Sequence, residues 1–321
     1  MKISLKAPGL SLYPGTGSHW WKHITSSQLI ELAQAADELG YDYLTVSEHF
    51  VMNRSHAAQM GSRWVHSLSA AGVLLGATKR IKVVCLLVVP YHQPIELAKA
   101  LATLEFMSGG RVVPMLMVGY NEWEFDLLNV PVGERGPRTD EYVEAMLELW
   151  TNPNPSYEGR FVRFGDIAFD PRPRSPLPLW FGGRTKAALR RIARHGDGWM
   201  SYATPRSEFP AMVKHIRTQP EFLARPRHLD LSLSMFEGHR HPITHEVIEQ
   251  AQVSFDPDVI VKELRTIASL GANVVAADDV IGTGKFQNGR PDQPPPTRDF
   301  NHHLERMRWF AETLLPEAHA I

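Results

Sequence analysis

Glu48 and His49 close a run of strand-forming residues, Tyr43-Leu44-Thr45-Val46. An imidazole beside a carboxylate can be held in one tautomer or can pass a proton. If the run is a strand of a parallel barrel, the pair stands at its C-terminal lip, where barrel enzymes place their chemistry. A helix-facing ion pair is the other use for Glu48. Gly182-Gly183-Arg184-Thr185 is a second candidate. Small residues let a backbone approach a ligand, and a helix N-terminus offers free N–H groups to an anion. Arg184 and Arg206 could add charge-assisted bonds to a phosphate. The same glycines could serve only to turn the chain into a helix. His239, His241 and His245 raise a metal, but they follow a strand, beside Pro242, without carboxylates in register, so no metal site is expected. His302-His303 reads as a solvent-facing pair on the last helix. Cys85, the sole cysteine, reads as a small buried hydrophobe.

These residues need elements to carry them. Strands are expected to start near residues 3, 43, 81, 111, 179, 199, 229 and 273, each followed by a helix. Ser26 or Ser27 can cap the first helix, which Gly40 stops; Thr185 and Asp256 cap two later ones. Eight such units favour a closed (β/α)8 TIM barrel over an open sheet. No Gly-x-Gly-x-x-Gly follows the first strand, which disfavours a dinucleotide fold. The strand ends then gather Glu48-His49, Val89-Pro90-Tyr91-His92, Gly119-Tyr120-Asn121-Glu122, Gly182 to Thr185, Tyr202 to Arg206, and Asp278-Asp279. The expected organisation is one domain over 1–321. Insertions at about 152–178, with a short hairpin around Glu158-Gly159-Arg160, and at 238–254 are assigned to loops at the C-terminal face of the strands. Those loops, with 50–62, are expected to shape a substrate pocket.

The chain has 321 residues, 43% of them hydrophobic and 21% charged, with a formal net charge of −1. Near-neutral charge provides no global field toward nucleic acid or an anionic membrane. One cysteine excludes a disulfide framework. With no apolar run of signal-peptide or membrane-spanning length, a soluble cytoplasmic protein is expected.

Several stretches resemble the bacterial luciferase-like superfamily of flavin- and deazaflavin-dependent oxidoreductases. They are Ala36 to Asp42 (ADELGYD) with Val46 to Phe50 (VSEHF), Ala102 to Arg111 (ATLEFMSGGR), Glu134 to Arg138 (ERGPR), and Leu179 to Gly183 (LWFGG) followed by Arg194 to Trp199 (RHGDGW). Order and spacing match from about residue 3 to 205, and the group using coenzyme F420 is nearest in flavour. The resemblance implies a ring at the barrel mouth, with His49 beside it assisting proton transfer and Glu48 at an acidic ring-side position. It implies a non-proline cis peptide near Leu86-Leu87, and a cofactor bed that includes Leu87, Val89, Gly119, Tyr120 and Asn121. Gly182, Gly183, Arg184, Thr185, Thr204 and Arg206 would hold the phosphate tail. A homodimer follows by the same analogy. Relatives often carry glycines in strand four; Met115 and Met117 stand here instead, which would narrow the bed.

Three functions follow from this resemblance. The first is hydride transfer with reduced coenzyme F420, His49 managing the proton and Glu48 orienting it. The second is an FMN-dependent monooxygenase, whose pocket Trp20, Trp21, Tyr91 and Tyr120 could wall, although the same aromatics could equally be core. The third is a non-catalytic flavin-binding relative.

Overall fold

The computed structural model describes residues 1–11, 19–202, 204–235, 254–281 and 297–321. Ten strands occur among them: β1 Lys2–Lys6, β2 Tyr43–Val46, β3 Lys82–Val88, β4 Val112–Met117, β5 Tyr157–Glu158, β6 Arg163–Phe164, β7 Trp180–Gly182, β8 Gly198–Met200, β9 Asp230–Ser234 and β10 Val274–Ala276. β5 and β6 form the small antiparallel hairpin. The other eight close into a barrel in the order β1-β10-β9-β8-β7-β4-β3-β2. Each of the eight expected starts meets one of these strands.

Register decides which side chains enter the lumen, because alternate residues of a strand face opposite sides. Ser4 pairs with Tyr43, Thr45 with Val84, Leu86 with Met115 and Met115 with Trp180. These residues therefore share the inner face. Tyr43, Val84, Val113, Met115, Trp180 and Val274 form a closed apolar cluster there. At the lumen's N-terminal end the Tyr43 hydroxyl donates to Asp230 at 3.1 Å, and Lys2 pairs with Asp230 at 2.6 Å. One step up each strand the burial eases. Thr45, Leu86, Met117, Gly182, Met200 and Ala276 are all half-buried. The lumen is thus packed below and open above, and the opening lies at the C-terminal ends of the strands.

The other parity builds the second core. Leu44, Val83, Cys85, Leu87, Leu116 and Phe181 pack against the surrounding helices. Cys85 is fully buried, as expected. Leu87 and Val89 also lie in this helix-facing core, so neither presents a side chain to the mouth; strand parity gives that place to Leu86. The peptide between Leu86 and Leu87 is not cis, since the cis bond among the described residues is Asp170–Pro171. β3 instead runs in unbroken register with β4 from Val83 to Val88.

The first helix, Ser26–Leu39, is capped one residue earlier than expected. Thr25 accepts from the Gln28 amide at 3.2 Å, and Gln28 accepts from the Thr25 amide at 3.0 Å. Thr185 and Asp256 cap their helices as expected. The segment expected as loop at 50–62 contains a helix, Arg54–Met60. The 152–178 segment leaves the C-terminus of helix Arg135–Thr151 and leads into β7. It therefore begins and ends at the N-terminal side of the barrel, not at the mouth. It lies on the outside of that helix, where Glu141 accepts amides of Arg160, Phe161 and Val162 at 3.0, 2.6 and 2.8 Å. Most of the 238–254 insertion, with His239, His241 and His245, lies outside the described residues. Among the described residues no helix is long and apolar enough to cross a membrane.

Asp37 shows how a helix end sets a strand start. Its buried carboxylate accepts amides of Ile81, Lys79 and Arg80 at 2.6, 2.8 and 2.8 Å. Asp37→Ala removes three bonds and leaves the Ile81 amide buried without an acceptor at the start of β3. We expect about 3 kcal/mol of lost stability at neutral pH, read as a lower urea midpoint with an unchanged slope.

Candidate active site

β2 delivers His49 to the C-terminal end of the barrel, and β4 delivers its partners. After β4 the chain must turn sharply at Gly119, where φ is +78°. A Cβ there would lie 2.6 Å from Val88 and 2.9 Å from the Phe125 ring. Only glycine suits both the angle and the space. The turn leads through Tyr120 and Asn121 into a six-residue helix, Glu122–Leu127.

That helix aims Glu124 inward, with no exposure to solvent. Glu124 Oε2 meets His49 Nδ1 at 2.8 Å, and accepts the Tyr91 hydroxyl at 3.2 Å and the Asn121 amide at 3.4 Å. Its Oε1 accepts the backbone amides of Phe50 and Val51 at 2.6 and 3.3 Å. Burial pushes the Glu124 carboxyl up. The His49 hydrogen bond and charge, with the two amides, outweigh that and hold it below the usual carboxylate range. An ionised carboxylate only accepts, so His49 Nδ1 carries the hydrogen and Nε2 faces away. Nε2 lies 3.2 Å from the Tyr120 hydroxyl and accepts from it when the imidazole is neutral. Tyr120 is 41% exposed, so this chain of bonds runs from a dry carboxylate to solvent. Trp64 packs its ring edge-on against His49, with centroids 4.4 Å apart. Burial, then the Glu124 charge, raises the Tyr91 phenol, which stays a donor.

Glu48 does not hold His49. It accepts the Val88 amide at 2.8 Å and pairs with His92 Nε2 at 3.0 Å. Neighbours in an extended segment project to opposite sides, so the residue next in sequence is badly placed to orient the ring. Glu124 is the carboxylate on His49, two residues beyond the strand-end segment that the sequence singles out, which stops at Glu122. Asn121 followed three residues later by Glu124 is a helix-start pattern that could have exposed it.

The residues expected to hold a phosphate tail are largely engaged by the rest of the fold. The space a Cβ would take at Gly182 is filled by Met115 and Met117, at 2.9 and 3.3 Å. The Gly183 carbonyl accepts the Trp199 indole at 2.8 Å. Thr185 accepts the Ala188 amide at 3.2 Å as the helix cap. Arg206 is tied to Glu263 and to the Met235 carbonyl. Arg184 is half-buried, with Glu208 3.9 Å away. Thr204 is buried, and its hydroxyl has no partner among the described residues. Asp278 accepts the Lys6 amide at 2.7 Å.

Two further expectations change. Trp20 and Trp21 do not wall the mouth; they pack on His303, with centroids 5.7 and 6.5 Å away. His303 is therefore buried rather than solvent-facing, and burial first, then the Arg306 charge, pushes its imidazole down to about 3. Among the described residues no three His, Cys, Asp or Glu side chains group as metal ligands.

The two methionines of β4 occupy different levels. Met115 is buried within the packed lumen, and Met117 is half-buried at the mouth. Met115 belongs to the packed floor, and Met117 joins Thr45, Leu86, Met200 and Ala276 in the half-buried ring above it. An apolar floor edged by His49 and Tyr120 suits a flat heteroaromatic ring.

A family model described as luciferase-like monooxygenase matches residues 7–236. An uncharacterized protein of Mycobacterium tuberculosis is 40% identical over 146 residues, 44% of this chain and 50% of that protein. An FMNH(2)-dependent dimethylsulfone monooxygenase of Pseudomonas putida is 30% identical over 195 residues, 59% of this chain and 52% of its own length. The chain spans about half the length of these curated relatives. A solved monooxygenase of Streptomyces bottropensis superposes with a TM-score of 0.72 at 22% identity, covering 100% of both chains. An F420-dependent secondary alcohol dehydrogenase superposes with a TM-score of 0.70 at 16% identity, covering 99% of this chain and 98% of its own. At such identities the two structures establish a common fold.

Glu124→Gln keeps the shape but removes the charge that five donors address. It should cost about 2 kcal/mol at pH 7. Because the folded-state value of Glu124 is depressed, its stabilisation is full above the ordinary range near ~4.3 and fades as pH falls through the folded value. Denaturant midpoints should therefore differ most at neutral pH and converge in acid.

Proposed function

The chain belongs to the luciferase-like monooxygenase family, and on that premise we propose that it is an oxidoreductase with a reduced flavin-type ring at the barrel mouth. Its substrate is a small organic molecule, and His49 handles the proton. The first reading of the ring is coenzyme F420. The observation that carries it is the bonded series Glu124–His49–Tyr120, which starts in a dry interior and ends at the mouth. Hydride transfer to or from a carbon–oxygen bond requires a proton to move at the oxygen, and this series provides a group for it.

The roles of the chain's own residues follow from the geometry. Glu124 keeps the hydrogen on His49 Nδ1, so Nε2 is the atom that accepts or returns a proton. Tyr120 relays between Nε2 and the open mouth. Leu86, Met117, Met200 and Ala276 supply an apolar bed and keep bulk water from the floor. Arg184 with the start of helix Lys186–His195 is the anion end, joined by the buried Thr204 hydroxyl. Arg206 supports that end indirectly, since Glu263 holds it. When bound, reduced F420 supplies a hydride from C5, whereas reduced FMN supplies electrons to O2.

FMN is the second reading, favoured by the Pseudomonas putida relative, whose name specifies FMNH(2). A homodimer is the assembly the family analogy supports.

Titrating the purified chain with F420 and with FMN, each followed by its fluorescence, separates the readings. We expect saturable binding of F420. Binding of FMN alone, with substrate-dependent oxygen uptake, would select the second reading, and binding of neither would overturn both. His49→Ala should leave the dissociation constant within about threefold while lowering turnover by about 10²-fold or more, as for loss of a general acid–base group.

A further inference from the structure

Glu48 and His92 are an acid and a histidine that the proton series does not use. Both are buried, at 3% and 8% exposure. Their contact at 3.0 Å, with the Val88 amide on the same carboxylate oxygen, ties the chain leaving β2 to the chain leaving β3. A second tie lies one residue away on each segment. His49 and Tyr91 both meet Glu124 Oε2. Glu48–His92 and His49–Glu124–Tyr91 are therefore two braces across the same pair of loops.

The braces share a mechanical link. The His92 ring meets the Phe50 ring edge-on, with centroids 5.3 Å apart. The Phe50 amide makes the shortest of the Glu124 hydrogen bonds, at 2.6 Å. A shift of His92 thus moves Phe50, and Phe50 moves the carboxylate that fixes the His49 tautomer. Glu48 Oε1 meanwhile is buried without a donor among the described residues. A half-satisfied buried acid is a poor choice for stability, because an apolar pair of similar volume often does as well. Its presence makes sense if the pair sets geometry.

We propose that Glu48 and His92 are a positioning pair, holding the backbone at 49–51 so that Glu124 and the His49 ring stay in register. The inference rests on His49 being the proton-handling group, and it assigns His92 a role that nothing in the family match provides. Both are buried and bonded to each other and to Val88, outside the proton series, so the role assigned to them is positioning.

The test is read on the full chain without cofactor. Long-range ¹H–¹⁵N spectra of the imidazoles report the His49 tautomer and the exchange rate of its Nδ1 hydrogen. Glu48→Gln keeps an acceptor for the Val88 amide but drops the charge, and His92→Phe drops the donor. Both should speed Nδ1–H exchange about tenfold or more, the size expected when a hydrogen bond to a charged group is weakened. His92→Gln, which keeps a donor, should return the rate toward wild type. Wild-type exchange in folded Glu48→Gln and His92→Phe would overturn the proposal. Should His92→Phe not fold, unchanged exchange in Glu48→Gln alone has the same force. Because no cofactor is present, failure of F420 and FMN to bind would count against the functional reading and leave this result standing.

Discussion

A carboxylate without access to water is costly unless donors meet its oxygens, and Glu124 is met by five. The donors come from three strand ends: His49, Phe50 and Val51 after β2, Tyr91 after β3, and Asn121 after β4. No one of these segments could fix the charge alone. Barrel closure brings them together, so the fold and the candidate site are specified by one electrostatic requirement. The same requirement explains the glycine at 119, since any side chain there would push the short helix away from its place.

Much of this architecture is legible in the sequence. Eight apolar runs at βα spacing predict a closed barrel, and each run is a strand. Glu48-His49 does stand at the C-terminal end of that barrel. The local detail is harder to read. Leu87 is expected at the mouth, but parity turns it to the helices and gives the mouth Leu86. Glu48 is expected to orient its neighbour, although adjacent side chains diverge. Glu124 escapes a reading by periodicity because a six-residue helix is too short to show one. Tertiary partners such as Glu263 on Arg206, or His303 under Trp20, leave no mark in a linear sequence at all.

The methionines show why a departure from a pattern needs three dimensions. In sequence, Met115 and Met117 read as bulk in a cofactor bed. In the barrel they fill space that Gly182 leaves empty, one within the packed layer and one at its surface. Thioether side chains are deformable and suit an irregular gap of this kind. Met117 thereby adds to the half-buried apolar lining of the mouth. Gly182, in turn, belongs to this packing as much as to any anion site.

The position of the braces along the chain has an evolutionary side. His49, Tyr91, His92, Tyr120 and Glu124 all belong to segments that follow the first four barrel strands, whereas Arg184, Thr185, Thr204 and Arg206 follow later strands. The seam between the two sets at β4 and β7 is narrow, with Met115 opposite Trp180 and Leu116 opposite Phe181. On the proposed function, the first half-barrel handles protons and the second grips a charged tail. A lineage can then recombine or diversify the second half, and so change what is gripped, while inheriting the acid–histidine unit intact.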